Sequence, residues 1–292
     1  MARAVGYIKT TLRQLPNLVA SRDTIRFENT PPELQTEGNI APSGTFIPAQ
    51  PLHPISRSTR TVAYRDGEEI DETAGEEQGA SASGMTGLTT VGEFGPLLAA
   101  VFSDLPQGRI AWSHWEQASA KPVAVFRFQV PKGVSHYEVK FCCVGGRVFQ
   151  QSPAYHGEVS IDPADGTILR LTLISDLGKA DPIAKAELMV EYGPVELGRK
   201  TFFCPVKSIS DTVAPVQLNH KTALPKGASF PTASGNVRLD IQENSAEEAP
   251  LQTMLNEVIF DQFHFFQSEA RILTGEDSRP ASTPAPSSAA NP

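Results

Sequence analysis

Hydrophobic and polar positions recur with two different periods along this chain. Val5, Ile8, Leu12 and Leu15 follow at steps of three and four, which places them on one side of a helix. Pro16 ends that helix. From Leu18 to Phe27 the period becomes two: Val19, Ile25 and Phe27 share one face, Arg22, Thr24 and Arg26 the other, as in a strand. Thr30 to Pro54 holds Pro31, Pro32, Pro42, Pro48, Pro51 and Pro54 with little periodicity, and reads as a loop. Thr61 to Tyr64 resumes a strand, and Asp66-Gly67 supplies a hairpin turn into Glu69 and Ile70. Glu72 to Met85 is rich in Gly, Ala, Ser and Glu, the composition of a mobile surface loop.

A second helical stripe comprises Val91, Phe94, Leu97, Leu98, Val101 and Phe102, with Thr89 or Thr90 as its cap and Pro96 in its first turn. Strands dominate from Gly108 to Ser210. Ile110, Trp112 and His114 alternate with Ala111, Ser113 and Trp115. Phe126, Phe128 and Val130 share a face in the next run, and Tyr137, Val139 and Phe141 in the one after. Gly157 to Asp162 passes through Pro163-Ala164-Asp165-Gly166 into Thr167 to Ile174, with Leu169, Leu171 and Leu173 buried. Leu188, Val190 and Tyr192 point inward from the following strand, Gly193-Pro194 and Gly198 flank a turn, and Thr201 to Ser208 returns. Connections this short force antiparallel neighbours, because a parallel pair needs a crossover of a dozen or more residues. The run is therefore a meander with one dry and one wetter face. Asp211 to Pro250 is weakly patterned. Asn256 to Leu273 reads as a final strand, with Val258, Phe260, Gln262, His264 and Phe266 on one side and Ile259, Phe263 and Phe265 near the other; a helix is the alternative. Gly275 to Pro292 is rich in Ser, Pro and Ala and reads as a disordered tail.

Composition narrows the function. A net charge of −8, with no block of Lys or Arg, excludes a general binder of nucleic-acid backbones. No apolar run approaches the ~20 residues of a membrane span, and no signal peptide is visible behind Met1. Cys142, Cys143 and Cys204 are too few for a disulfide framework and read as buried free thiols; a bond from one of the adjacent pair to Cys204 is the alternative.

Few residues of the chain form a pattern that catalysis or metal binding needs. Gly79-Ala80-Ser81-Ala82-Ser83-Gly84 lacks the spacing and the strand-turn-helix setting of a nucleophile elbow. His53, His114, His136, His156, His220 and His264 are scattered, with no helical pair, and no Cys-x-x-Cys occurs, so neither metal nor other cofactor is expected. Asp162, Asp165 and Gly166 are explained by a hairpin turn rather than calcium. The acidic cluster Glu68, Glu69, Asp71, Glu72, Glu76 and Glu77 reads as a solvated loop. What remains is aromatic: Phe94, Phe102, Trp112, Phe126, Phe128 and Tyr137 are candidates to line an apolar ligand cavity, or else plain core.

Several segments together resemble a group of uncharacterised acidobacterial exported proteins whose sheet is similar to that of periplasmic lipoprotein carriers and other lipoprotein-sorting proteins. They are Leu15-Pro16-Asn17, Val91-Gly92-Glu93-Phe94-Gly95, Tyr155-His156-Gly157-Glu158-Val159-Ser160-Ile161-Asp162, Ile168-Leu169-Arg170-Leu171, Val190-Glu191-Tyr192-Gly193-Pro194-Val195, Phe203-Cys204-Pro205-Val206 and Asn256-Glu257-Val258-Ile259-Phe260. The resemblance implies an α+β fold: a strongly curved antiparallel sheet, a half-barrel, wrapping two or more helices. It would form one domain over 1–274, with loops at 30–54, 72–86 and 211–250 and a tail at 275–292. It also implies a periplasmic or secreted protein. The expectation is a non-catalytic envelope protein that binds a lipid or acylated protein in a concave sheet. The alternative is a protein-interaction or scaffold module with a filled core and no small-molecule ligand.

Overall fold

The structure is a computed structural model that describes residues 2–30, 33–35, 45–47, 50–71, 87–89, 92–118, 121–144, 147–215, 229–232, 235–238 and 251–266. Its elements run α1 Ala2–Gln14, β1 Leu18–Thr30, β2 Glu33–Gln35, β3 Thr45–Ile47, β4 Gln50–Arg65, β5 Glu68–Asp71, β6 Gly87–Thr89 and α2 Pro96–Asp104. Then come β7 Arg109–Ala118, β8 Lys121–Val130, β9 Val139–Val144, β10 Arg147–Gln151, β11 Ala154–Ile161 and β12 Ile168–Asp176. The last are β13 Lys185–Leu197, β14 Lys200–Pro215, β15 Ser229–Thr232, β16 Gly235–Arg238 and β17 Leu251–Phe265. Short 3₁₀ turns occupy Leu105–Gln107 and Lys132–Val134.

The fold is mostly β, organised by one large antiparallel sheet with the order β5-β4-β1-β17-β14-β13-β12-β11-β8-β7. The sheet is neither strongly curled nor closed, so β5 and β7 are its two ends. The neighbours β7–β8 and β11–β14 keep the expected meander, but the run through Val139–Gln151, read as part of it, leaves the sheet and β8 pairs directly with β11. β17 crosses back to pair β14 on one side and β1 on the other. β6, β9 and β10 form a small separate sheet. One face of the large sheet is covered. Phe128, Val130, Tyr155, Val159, Leu171, Leu173, Leu188 and Val190 meet Ala4 and Ile8 of α1 and Leu97, Leu98 and Val101 of α2 there. A second cluster gathers Leu15, Leu18, Val62, Tyr64, Val258 and Phe260 around Phe94.

The tight turn after β11 holds α1 in place. Asp162 Oδ1 accepts from Ala164 N at 2.8 Å and Asp165 Oδ1 from Thr167 N at 2.8 Å. Gly166 has φ 91°, and a Cβ there would sit 2.6 Å from the Arg3 carbonyl carbon. The helix therefore rests directly on the turn, and Arg3 Nη1 donates to Pro163 O at 2.7 Å. Gly166→Ala should cost about 1–3 kcal/mol, from the left-handed backbone and the clash together. Urea unfolding measures the loss, and faster amide exchange across Ala4–Ile8 would locate it.

Several boundaries differ from the sequence reading. Gln50 to Pro54, read as the end of a loop, instead opens the first half of β4, with Pro54 at a register shift where Ile55 is passed over. Its prolines are tolerated because β5 pairs only with Val62–Arg65, leaving this half of β4 on the edge. The second helix begins at Pro96 behind Gly95, and Thr89 instead ends β6. Gly193-Pro194 lies inside β13, opposite Cys204 and Phe203, and the turn falls at Gly198 with φ 64°. In β12 a register shift pairs Ile161 with Ile168, so Ile168, Leu171 and Leu173 are buried while Leu169 is half-buried. The carboxyl-terminal segment is a strand over Leu251–Phe265, and Gln262, at φ 51°, breaks its alternation. Phe263 thereby comes back to the covered side, 6.2 Å from Phe94. β1 also turns a different face inward: Arg22, Thr24 and Arg26 lie opposite the covered residues Phe260, Val258 and Asn256. Cys204 is a buried free thiol whose pKa burial pushes up to about 12. The loop at 72–86, most of 211–250 and the tail at 275–292 lie outside the described residues, as do the side chains of Cys142 and Cys143.

Candidate functional site

The six aromatic candidates do not surround one chamber. Phe94 is buried in the second cluster, edge-on to Phe260 at 5.2 Å and beside Tyr64 at 6.3 Å. Phe128 and Tyr137 both meet Tyr155, at 6.1 Å and 5.3 Å. Phe102 and Phe126 are half-buried against that same group. Trp112 stands apart, 56% exposed. The cavity between α1, α2 and the sheet is lined by Tyr7, Ile8, Leu15, Phe94, Leu98 and Tyr192, and its volume is about 20 Å³. That is room for about one water molecule.

Two buried carboxylates hold the turn before α2 on the sheet. Glu93 is fully buried; its Oε1 lies 3.4 Å from Arg22 Nη2 and accepts from Ser208 Oγ at 3.4 Å. Its Oε2 has no partner among the described residues. Glu69 Oε2 accepts from Phe94 N at 3.2 Å, and its Oε1 lies 4.0 Å from Arg22 Nη1. Burial, and then the nearby Glu93 charge, push the Glu69 pKa up to about 8, against the pull of Arg22. Asp104, at the end of α2, is also fully buried. It accepts from Tyr155 Oη at 2.8 Å and His136 N at 2.9 Å, and also bonds His136 Nδ1. All three acids fasten covering segments to the sheet. The sequence gives no hint of their burial, because each follows or precedes apolar residues without a period of its own.

The exposed functional candidates gather on β7, at one end of the sheet. Its register opposes Ile110 to Phe128 and Trp112 to Phe126, then His114 to Val125 and Trp115 to Ala124. Ser113 is an extra residue, a β-bulge. The simple alternation puts Trp112 and Trp115 on opposite faces; the bulge puts both, with Ile110, on the face shared by Phe126 and Phe128. This is the continuation of the covered core face, but here it is bare. Ile110 is 37% exposed, Trp112 56% and Trp115 58%. Among the described residues no strand pairs with the outer side of β7, so its row of backbone donors and acceptors is also open.

The other face of β7 is polar. Ser113 Oγ lies 2.9 Å from His114 Nδ1, His114 Nε2 lies 3.2 Å from Glu116 Oε1, and Arg170 Nη2 donates to both Glu116 oxygens at 2.8 Å. The order serine–histidine–carboxylate resembles a catalytic relay. However, Ser113 and His114 are sequence neighbours on an open surface, and Arg170 holds the carboxylate. Neither the small cavity nor the neighbouring groove is lined by any of the three. Their visible effect is to cross-brace β7 to β12 over buried Val123 and Val125. Beside them an open groove of about 980 Å³ runs across β7, β8, β11 and β12. The Arg127–Glu158 ion pair and the contact of His156 Nδ1 with Asp176 Oδ1, each 2.8 Å, lie along it. Among the described residues, no group of three His, Cys, Asp or Glu could hold a metal ion, and no helix is long and apolar enough to cross a membrane.

No protein family and no curated protein matches the chain. Among solved structures it has a distant likeness to MucB in complex with MucA(peri), with a TM-score of 0.25 and 9% identity over 89% of this chain and 94% of that one. The MucA/MucB complex of Pseudomonas aeruginosa gives 0.24 and 11% over 89% and 94%. MucB alone gives 0.24 and 10% over 91% and 99%. At these scores the likeness carries no argument about what this chain does.

Proposed function

We propose that this chain is a non-catalytic protein-interaction module whose contact surface is the free β7 edge of its sheet. One observation carries the reading: Ile110, Trp112 and Trp115 lie bare on the same face of a strand whose outer backbone pairs with no other strand among the described residues. An added extended segment would gain main-chain hydrogen bonds from the edge and bury the tryptophans with alternate side chains. Tryptophan at such a surface is the residue type that most often dominates binding energy. The reading of an enclosed apolar ligand has less support. Ligand pockets usually measure about 300–1,000 Å³, and the cavity lined by Tyr7, Ile8, Leu98 and Tyr192 is about 20 Å³. By the resemblance to exported proteins, the setting we propose is the periplasm or the cell exterior.

The test is a pair of substitutions. Trp112→Ser with Trp115→Ser should leave stability within about 1 kcal/mol, because both side chains are exposed. The same protein should lose at least about tenfold in the recovery of polypeptides cross-linked to it in its own host. Equal recovery of the same polypeptides would sink the reading.

A further inference from the structure

We infer that the β7 edge pairs with β7 of a second copy of this chain, antiparallel, about a two-fold axis normal to the sheet. This rests on the reading of β7 as an interaction edge and adds the occupant and the register.

A two-fold axis normal to the sheet leaves each face where it is, and residues directly opposite in an antiparallel pair share a face. In an unbroken strand only residues an even number apart could oppose each other. The extra residue Ser113 changes this: Ile110 and Trp115 share the bare apolar face, while Arg109, Ala111, His114 and Glu116 share the polar one. With the axis between Trp112 and Ser113, Arg109 falls opposite Glu116 of the second copy, Ile110 opposite Trp115, and Ala111 opposite His114. Every one of these pairs matches in face, and each occurs twice. Arginine meets glutamate and apolar meets apolar. The bulge of one strand meets the bulge of the other, so neither interrupts the pairing. A slip by one residue would turn the tryptophans against the polar face, so the register is specified.

The two exposed edges differ in a way that supports this. The first half of β4 exposes Leu52 and Ile55, but it carries Pro51 and Pro54 and a register break, devices that block edge pairing. β7, Arg-Ile-Ala-Trp-Ser-His-Trp-Glu-Gln-Ala, has no proline and no lysine. Its charges, Arg109 and Glu116, and its bulge are the devices it has, and self-pairing in this register matches the charges and makes the bulge neutral.

The chain has two tryptophans, both on β7, so their emission reports on this edge alone. Purified protein is followed by sedimentation velocity and tryptophan emission over about two decades of concentration. A monomer–dimer equilibrium is expected, with emission moving to the blue as dimer forms. Arg109→Glu and, separately, Trp115→Lys should each weaken it at least about tenfold, the first by opposing like charges. For the register, a mixture of Ala111→Cys and His114→Cys proteins should form a mixed disulfide between these two positions faster than Ala111→Cys alone forms one with itself. Three results would overturn the proposal: a monomer throughout, a dimer whose tryptophans stay in water, or a dimer that neither substitution weakens. A monomer overturns self-pairing alone. The wider reading falls only if the double serine protein also keeps its host polypeptides.

Discussion

Gly157→Ala should cost about 3 kcal/mol or more of folding stability, the largest loss expected from an added methyl group among the described glycines. Gly157 lies in the middle of β11, opposite Phe128 on one side and Leu173 on the other. A Cβ built there would stand 1.8 Å from the Thr172 carbonyl oxygen and 3.1 Å from Phe128 Cζ. The first neighbour is backbone and cannot rotate away, so β11 and β12 would have to separate and give up ladder hydrogen bonds. Gly133 provides the control: a Cβ there meets nothing within 4 Å, and Gly133→Ala should stay within about 0.5 kcal/mol. Urea unfolding of both proteins reads the difference. Equal stabilities would mean that β11 and β12 do not approach as described.

The second large effect is in pH. The Glu69 pKa is raised from 4.5 to about 8, chiefly by burial and then by Glu93. A carboxyl raised on folding makes the folded state hold a proton that the unfolded chain has released. Its contribution is complete below about pH 4.5 and is lost as pH rises through 8. Stability should therefore fall across that window, by roughly 2–4 kcal/mol. Glu69→Gln keeps an acceptor for the Phe94 N–H and carries no charge, so it should flatten the profile and be the more stable protein above pH 8. Thermal melts at fixed ionic strength check this. A wild-type profile that rises with pH over the same range would reverse the assignment.

How far the sequence predicts this molecule depends on where its alternation stays regular. β11 through β14 and β17 are legible because Val159, Leu171, Leu188, Val190 and Val258 keep period two into the core. Alternation fails wherever the backbone inserts a residue. Ser113, Gln262 and the shift at Ile161 each move later side chains to the other face, and local composition does not mark such a shift. The aromatic list picked out Trp112 but could not separate it from Phe128. What makes them different is the covering layer: α2 and the 3₁₀ turn stop short of the end of the sheet. Trp115 is missing from that list because simple alternation sets it on the face opposite Trp112. Glu93 was visible only as part of a Val-Gly-Glu-Phe-Gly string, and its burial depends on Arg22 some seventy positions away.

The central claim is that the interior is filled and that binding takes place at the edge. Native mass spectrometry of the protein purified from its own host, compared with the same sample denatured, tests it most directly. The predicted spectrum contains the bare chain and complexes of whole polypeptides, with no small ligand retained in either. A lipid of several hundred daltons held by the folded chain and released on denaturation would contradict it.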